Sequence, residues 1–187
     1  MKLIYKGKYN GDVNTLPHGE HKPGAVKFKE FDDAKTLGIV ANVIALVITV
    51  GLFFLFAVRA GARNFSLSGC AASLLCLFPH EILHAICFKK EVYLYTNLKQ
   101  GMLFVVGPED MTKARFIFMS LLPNLVFGFI PYVIFLIFPE QRFLGTLGAL
   151  CLGMGAGDYY NVFNALTQMP RGARTYLYQF NSYWYMP

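Results

Sequence analysis

Residues 37–58 carry no charged side chain, and a run of this length is long enough to cross a lipid bilayer as one α-helix. Three further apolar segments follow, at about 68–88, 116–138 and 144–168. The last is rich in glycine, which lets helices approach one another closely. With 55% apolar residues in the chain, the pattern predicts an all-α membrane protein with four transmembrane helices.

The polar parts of the chain divide it into three expected regions. Residues 1–35 form a lysine-rich leader, 36–168 the four-span membrane domain, and 169–187 a tail rich in tyrosine. Because tyrosine and tryptophan concentrate at membrane–water boundaries, we expect that tail to lie at the membrane interface.

A short β-hairpin is expected between the second and third spans. Residues 92–95 and 102–106 are apolar and aromatic, as strands are, and they flank a polar turn from Asn97 to Gly101. On the four-span topology this hairpin shares one side of the membrane with both termini.

Basic residues indicate which side that is. All but three of the 17 lysines and arginines belong to the leader, the hairpin with the adjoining Arg115, and the tail; the exceptions are Arg59, Arg63 and Arg142. The positive-inside rule therefore predicts a multi-pass cell-membrane protein with both termini in the cytoplasm. The net charge of +6 is explained by this topology, and no basic stripe with interleaved aromatics predicts binding to nucleic acid.

The second apolar segment contains the sequence His80-Glu81-Ile82-Leu83-His84. Residues four apart share one face of a helix, so His80 and His84 can bind one metal ion through their imidazoles. Glu81 lies beside them, where its carboxylate can accept a proton from water. Ionisable groups within a membrane are costly and usually functional, so we interpret this segment as a zinc site.

A catalytic zinc usually has three protein ligands and one open position. Apart from Glu81, Asp158 is the one carboxylate in the apolar segments. His80 and Asp158 stand eight and ten residues before the cytoplasmic ends of their predicted spans, which places both at a depth of roughly 12–15 Å. Asp158 is therefore the expected third ligand. Glu109 and Asp110 are the alternative, although a position after Gly107-Pro108 also suits a solvated turn.

Two amides complete the candidate site. Asn124 is expected at a similar depth in the third span, where it could bind a substrate carbonyl or a developing oxyanion, or satisfy backbone groups near Pro123. Asn161 follows Asp158 by nearly one helical turn and could hold that carboxylate in place.

The segment Phe78–Ala85 together with Gly157-Asp158 resembles a bacterial membrane family described as putative zincin peptidases. The pattern is more distantly similar to the site-2 proteases, which cleave within membranes, although Gly157-Asp158-Tyr159 stands where those enzymes typically have Leu-Asp-Gly. The resemblance implies that His80, His84 and Asp158 bind zinc and that Glu81 is the catalytic base.

The expected function is therefore a zinc-dependent, membrane-embedded endopeptidase. Its partners would be the lipid bilayer and a membrane protein or peptide substrate, and residues 102–106 could bind that substrate as an added strand. The alternative is a zinc-binding membrane protein without peptidase activity, acting as a sensor or scaffold.

Overall fold

The computed structural model describes residues 1–31, 33–97, 102–178 and 181–187. The helices are α1 (Ala34–Ala60), α2 (Leu67–Leu75), α3 (Leu77–Ile86), α4 (Lys113–Pro123), α5 (Ile130–Ile137), α6 (Arg142–Met154) and α7 (Ala156–Gln168). The strands are β1 (Lys2–Lys8), β2 (Val26–Lys27), β3 (Glu91–Asn97), β4 (Met102–Val106), β5 (Met111–Thr112), β6 (Arg174–Tyr178) and β7 (Asn181–Tyr185).

The chain forms two compact units. The helical unit consists of Asp33–His80 and Leu121–Tyr160, and the mixed unit consists of Met1–Asp32, Glu81–Ser120 and Asn161–Pro187. Each unit is therefore assembled from segments that are distant in the sequence.

Helix α6 is the centre of the helical unit, where it packs against α1, α2 and α5. The buried rings of Phe56 and Phe135 stack with their centroids 4.5 Å apart. Tyr132 and Ala149 belong to the same cluster, and the Tyr132 hydroxyl donates to the carbonyl of Leu52. The buried hydroxyl thus has the partner that an apolar core requires.

Glycines allow α6 to lie close to its neighbours. A Cβ atom at Gly148 would meet the carbonyl of Gly128 and the backbone nitrogen of Tyr132, each at 2.7 Å. A Cβ at Gly145 would overlap with the ring of Phe135. The predicted close approach of glycine-bearing helices is therefore present, because a larger residue would push the backbones apart.

Helices α4 and α5 are joined by a π-helical turn, Asn124–Phe129. Pro123, the last residue of α4, has no backbone N–H to complete the regular hydrogen-bond ladder, which explains why the helix changes its pitch there. The helix nevertheless continues, and Lys113–Ile137 is long and apolar enough to cross a membrane.

The mixed unit contains two sheets. One has the order β1-β3-β4, with β1 parallel to β3 and β3 antiparallel to β4. The other has the order β2-β7-β6-β5 and its strand pairs are antiparallel. Leader, hairpin and tail are therefore hydrogen-bonded parts of one unit.

Three apolar clusters hold the mixed unit together. Ala85 and Phe88 pack with Val92 and Met111, which joins the end of α3 to β3 and β5. The other two clusters are centred on the buried residues Leu16, Tyr95 and Val106, and Phe28, Ala165, Met169 and Ala173.

The prediction of an all-α protein is wrong, since the structure combines helices with two sheets. The hairpin of β3 and β4 is present as expected, and its turn lies, beyond Asn97, outside the described residues. The leader and tail also form strands. In the leader, residues 26–29 alternate between apolar and basic types, which suits a half-buried strand. The aromatic run in the tail is the feature that we interpret as an interfacial anchor.

The prediction of four spans is also wrong. Within the described residues, two helices can cross a membrane, Lys35–Ala60 and Lys113–Ile137. A third is possible if α2 and α3, which are bent by 42° at their junction, form one span. The expected fourth span is interrupted at Gly155, where α6 ends and α7 begins, so neither part has the length of a span.

Candidate metal centre

Helix α3 carries the three residues of the H-E-x-x-H sequence. Pro79 stands in its first turn, where a missing N–H costs nothing, and the N–H of His80 donates to the carbonyl of Cys76 at 2.8 Å. One potential ligand atom from each of His80, Glu81 and His84 lies within 4.8 Å of the other two. The expected sharing of one helix face is thus present, and the three side chains could hold one metal ion.

His84 is buried, and its Nδ1 atom lies 2.9 Å from the carbonyl oxygen of Met119. A carbonyl can only accept a hydrogen bond, so Nδ1 carries the proton. The lone pair of the neutral imidazole is then on Nε2. This contact selects the tautomer that a metal ligand needs and restrains the ring.

Glu81 contacts the outer strand of the first sheet. The backbone N–H of Val105 in β4 donates to Glu81 Oε2 at 3.0 Å. In an antiparallel pair, successive residues direct their N–H groups to opposite sides of the strand. Val105 is paired with Leu94 of β3, and because its N–H reaches Glu81, that group faces away from β3.

His80 contacts Asp158, and both residues belong to the expected ligand set. The Nε2 atom of His80 lies 3.2 Å from Asp158 Oδ2, and the two side chains are 18% and 13% exposed. The structure therefore brings together the two side chains that the matching depths in the sequence predicted to meet.

Asn124 is also close to Asp158. Its side chain is 3% exposed, and its amide nitrogen donates to Asp158 Oδ2 at 2.7 Å. The hydroxyl of Tyr159 donates to the amide oxygen of Asn124 at 3.1 Å. Asn124 thus contacts the carboxylate directly, a role that we had assigned to the other amide.

Asn161 was the residue expected to hold Asp158. In the described part of the chain, the hydrogen bond to that carboxylate comes from Asn124 and not from Asn161. The spacing along α7 indicated proximity in the sequence, but it did not determine which amide would point at the carboxylate.

Glu109, one of the two alternative ligands, is 6% exposed and forms an ion pair with Arg115 at 2.6 Å. Its other oxygen accepts the backbone N–H groups of Lys89 and Lys90 at 2.7 and 2.9 Å. Burial alone would raise the pKa of Glu109, but these three donors outweigh it and hold the pKa below its ordinary value. The carboxylate connects the chain that follows α3 to the start of α4.

Asp110, the other alternative, accepts hydrogen bonds from the Arg174 guanidinium at 2.5 Å and the Tyr185 hydroxyl at 2.7 Å. Partial burial opposes its ionisation, yet these donors keep the pKa of Asp110 below its ordinary value. Asp110 therefore attaches the carboxyl-terminal hairpin to the residues before β5.

Sequence reasoning missed two contributors to the site. Tyr159 could have been suspected because it adjoins Asp158, but nothing in the sequence distinguishes it from Tyr160. Val105 contributes a backbone N–H, and a main-chain donor leaves no signal in residue types.

Comparison with known proteins identifies a family for this chain. No curated protein and no solved structure matches the chain. A family described as "putative zincin peptidase" matches residues 73–174, more than half of the chain and a stretch that includes the H-E-x-x-H sequence and Asp158. The chain belongs to this putative zincin peptidase family, whose description indicates zinc-dependent peptidase activity.

Proposed function

We propose that the protein is a membrane-embedded zinc endopeptidase in which His80, His84 and Asp158 hold the ion and Glu81 is the general base. The observation that carries the proposal is the contact between His80 and Asp158. It adds a carboxylate to a helix that already presents two imidazoles and a glutamate.

The donor atoms of His80 and Asp158 are spaced as two ligands of one zinc ion would be. Bonds of about 2.0–2.1 Å in a tetrahedral site separate neighbouring ligand atoms by roughly 3.3 Å, and the distance between His80 Nε2 and Asp158 Oδ2 is 3.2 Å. His84 has the tautomer that leaves Nε2 for the ion. A zinc ion held there would supply Lewis-acid chemistry by acidifying water and polarising the carbonyl of a peptide bond.

Glu81 would perform the proton transfers. Its carboxylate would accept the proton of the attacking water and pass it to the leaving amine. The hydrogen bond from Val105 supports this role, because it restrains the side chain on the same helix as both histidine ligands.

Asp158 is a better third ligand than Glu109 or Asp110. Both alternatives are engaged by cationic side chains, Glu109 by Arg115 and Asp110 by Arg174. To bind a metal, either would have to leave an arginine that is already its partner. Asp158 needs no such exchange, since it already contacts His80.

The outer edge of β4 is a suitable place for an extended substrate. In the described residues, β4 is an edge strand of the sheet β1-β3-β4. The N–H of Leu103 faces the same edge as the N–H of Val105, because residues two apart in a strand have the same orientation. A peptide paired with this edge would be held extended, as cleavage requires, and would lie beside Glu81. Membrane proteins and membrane-proximal peptides are therefore the proposed substrates.

The proposed location is the cell membrane, which the chain would cross more than once, as a site-2 protease-like enzyme does. Helix α1 supports this, because side chains such as Val47, Phe54 and Val58 are 67–71% exposed along an apolar helix. Strand pairing of β1 with β3 and of β2 with β7 supports a common side of the membrane for leader, hairpin and tail. By the positive-inside rule, their lysines and arginines favour the cytoplasmic side. Reporter fusions should give a cytoplasmic signal at both termini, and an external signal at either one would contradict this orientation.

Metal content tests the ligand set. Protein purified in detergent without chelators should contain about one zinc per chain by elemental mass spectrometry. His80→Ala and Asp158→Ala should lose it, whereas the double variant Glu109→Ala/Asp110→Ala should keep it. If the double variant lost zinc and Asp158→Ala kept it, the third ligand would be Glu109 or Asp110. Absence of metal from the wild type would contradict the zinc centre.

Glu81→Gln separates a peptidase from a zinc-binding sensor or scaffold. Glutamine keeps the size of the side chain and can still contact Val105, but it cannot accept the proton. The variant should bind zinc like the wild type and fail to cleave peptides. Full biological activity in this variant would contradict the peptidase proposal and favour the non-proteolytic alternative.

A further inference from the structure

Three polar side chains form a chain that ends at the proposed third ligand. The Tyr159 hydroxyl donates to Asn124 Oδ1 at 3.1 Å, and Asn124 Nδ2 donates to Asp158 Oδ2 at 2.7 Å. A hydroxyl donor on one side and a carboxylate acceptor on the other require the same orientation of the amide. The Asn124 side chain therefore has one preferred orientation, with its nitrogen toward Asp158.

The fold holds each member of this chain in position. Asn124 begins the π-helical turn after Pro123, and its side chain is buried. The Tyr159 hydroxyl is also 3.0 Å from the carbonyl of Leu152, so its one hydrogen is shared between two acceptors, which together restrain the ring. The amide thus has little freedom to turn away from the carboxylate.

Gly155 provides the space that the amide occupies. A Cβ atom built on Gly155 would overlap with Asn124 Oδ1 and Cγ. Since α6 ends at Met154 and α7 begins at Ala156, the absence of a side chain between these helices is what allows Asn124 to reach Asp158.

We infer that Asn124 and Tyr159 are positioning residues that orient the Asp158 carboxylate for the metal ion. Asn124 holds one carboxylate oxygen directly, and Tyr159 acts through Asn124 by setting the direction of its amide. This inference rests on the proposed ligand role of Asp158. It differs from the expected contact of Asn124 with a substrate carbonyl or an oxyanion, because the amide nitrogen already donates to Asp158.

Zinc affinity measures this role without any substrate. Detergent-purified apo-protein would be titrated with Zn²⁺ in competition with a chromophoric chelator. Hydrogen-bond partners of metal ligands typically contribute 10- to 100-fold to affinity. Asn124→Ala should therefore weaken zinc binding by about 10- to 100-fold. Tyr159→Phe, which removes one neutral hydrogen-bond donor, should weaken it by about 3- to 10-fold.

Two further variants sharpen the comparison. Gly155→Ala leaves all the polar groups in the chain but displaces the Asn124 amide, so it should weaken zinc binding as Asn124→Ala does. Asn161→Ala removes an amide from the same helix as Asp158 and should bind zinc like the wild type. Equal losses in Asn124→Ala and Asn161→Ala would overturn the inference.

A double-mutant cycle distinguishes positioning from a general structural effect. If Asn124 acts through Asp158, adding Asn124→Ala to Asp158→Ala should not weaken the residual zinc binding further. Additive losses would overturn the inference in favour of a disturbed fold. Unfolding temperatures of the apo-proteins would provide the independent measure of folding.

The outcomes also separate this inference from the ligand proposal. If Asp158→Ala binds zinc normally, the proposed ligand set itself is wrong. If Asp158→Ala loses zinc while Asn124→Ala and Tyr159→Phe bind it like the wild type, the positioning role alone is overturned. If Asn124→Ala binds zinc with normal affinity but lacks peptidase activity, the positioning role is overturned and a contact between Asn124 and the substrate is favoured.

Discussion

The backbone N–H of Val105 donates a hydrogen bond to the Glu81 carboxylate at 3.0 Å. The proposed general base and the outer strand of the first sheet are therefore in direct contact. The N–H of Leu103 faces the same edge two residues earlier and is a donor that an added substrate strand could use. The outer edge of β4 thus connects the position of the base with the place proposed for the substrate.

Val105→Pro tests this contact, because proline removes the donor. The N–H faces away from β3, so the pairing of β4 with β3 should tolerate the change. A hydrogen bond to a charged group contributes about 1.5–3 kcal/mol, so kcat for a fluorogenic peptide should fall by about tenfold or more at unchanged zinc content.

Leu103→Pro is the matched control, since its N–H faces the same edge two residues earlier. It should leave kcat close to that of the wild type and raise KM if the substrate pairs with β4. Similar losses of kcat in both variants would mean that proline disturbs the strand and that the contact with Glu81 has no specific effect.

The ion pair of Glu109 predicts a dependence of stability on pH. Burial opposes ionisation of Glu109, but the N–H groups of Lys90 and Lys89 and the Arg115 guanidinium hold its pKa below the ordinary 4.5. A lowered pKa in the folded state stabilises the protein above pH 4.5, and this contribution is lost as the pH falls toward the folded-state pKa.

Glu109→Gln should therefore lower the free energy of unfolding by about 2 kcal/mol at neutral pH. The difference from the wild type should shrink as the pH falls below 4.5, which thermal unfolding at several pH values would measure. Glu20→Gln, a change at an exposed carboxylate, is the control and should leave the profile unchanged. A constant difference at every pH would show that charge is not the cause.

The candidate metal centre could be predicted in part because its signals are local. A spacing of four residues places His80 and His84 on one helix face, and burial of a lone carboxylate in an apolar segment indicated Asp158. The roles of Asn124 and Asn161 could not be separated in this way. The decisive feature is a π-helical turn after Pro123, and helical periodicity does not predict where the pitch of a helix will change.

The sheets could not be predicted because their pairings are distant in the sequence. Lys2 of β1 is paired with Glu91 of β3, and Val26 of β2 with Trp184 of β7. The alternation of apolar and basic residues at 26–29 is a strand signal, but so short a segment does not indicate its distant partner. Likewise, hydropathy alone predicts that the fourth span continues across Gly155, whereas α6 ends there.

Packing of α1 predicts different effects for two phenylalanines in that helix. Phe56 is 1% exposed and stacks on Phe135, whereas Phe54 is 71% exposed. Phe56→Ala should leave a cavity and cost about 3 kcal/mol or more. Phe54→Ala should have little effect on stability, because that side chain has few protein neighbours to lose. Unfolding of both variants in the same detergent would measure the contrast, and equal effects would contradict the packing of α1 described above.

Gly148 and Gly157 are both helical glycines, but only one of them is required for packing. A Cβ at Gly148 would lie 2.7 Å from backbone atoms of Gly128 and Tyr132, which cannot move aside as a flexible side chain could. Gly148→Ala should therefore force α5 and α6 apart and lower the unfolding temperature. A Cβ at Gly157 would meet nothing within 4 Å, and alanine stabilises a helix by roughly 0.5–1 kcal/mol relative to glycine. Gly157→Ala should therefore be neutral or stabilising and keep its zinc. If it were as destabilising as Gly148→Ala, close helix packing would not explain the cost of either change.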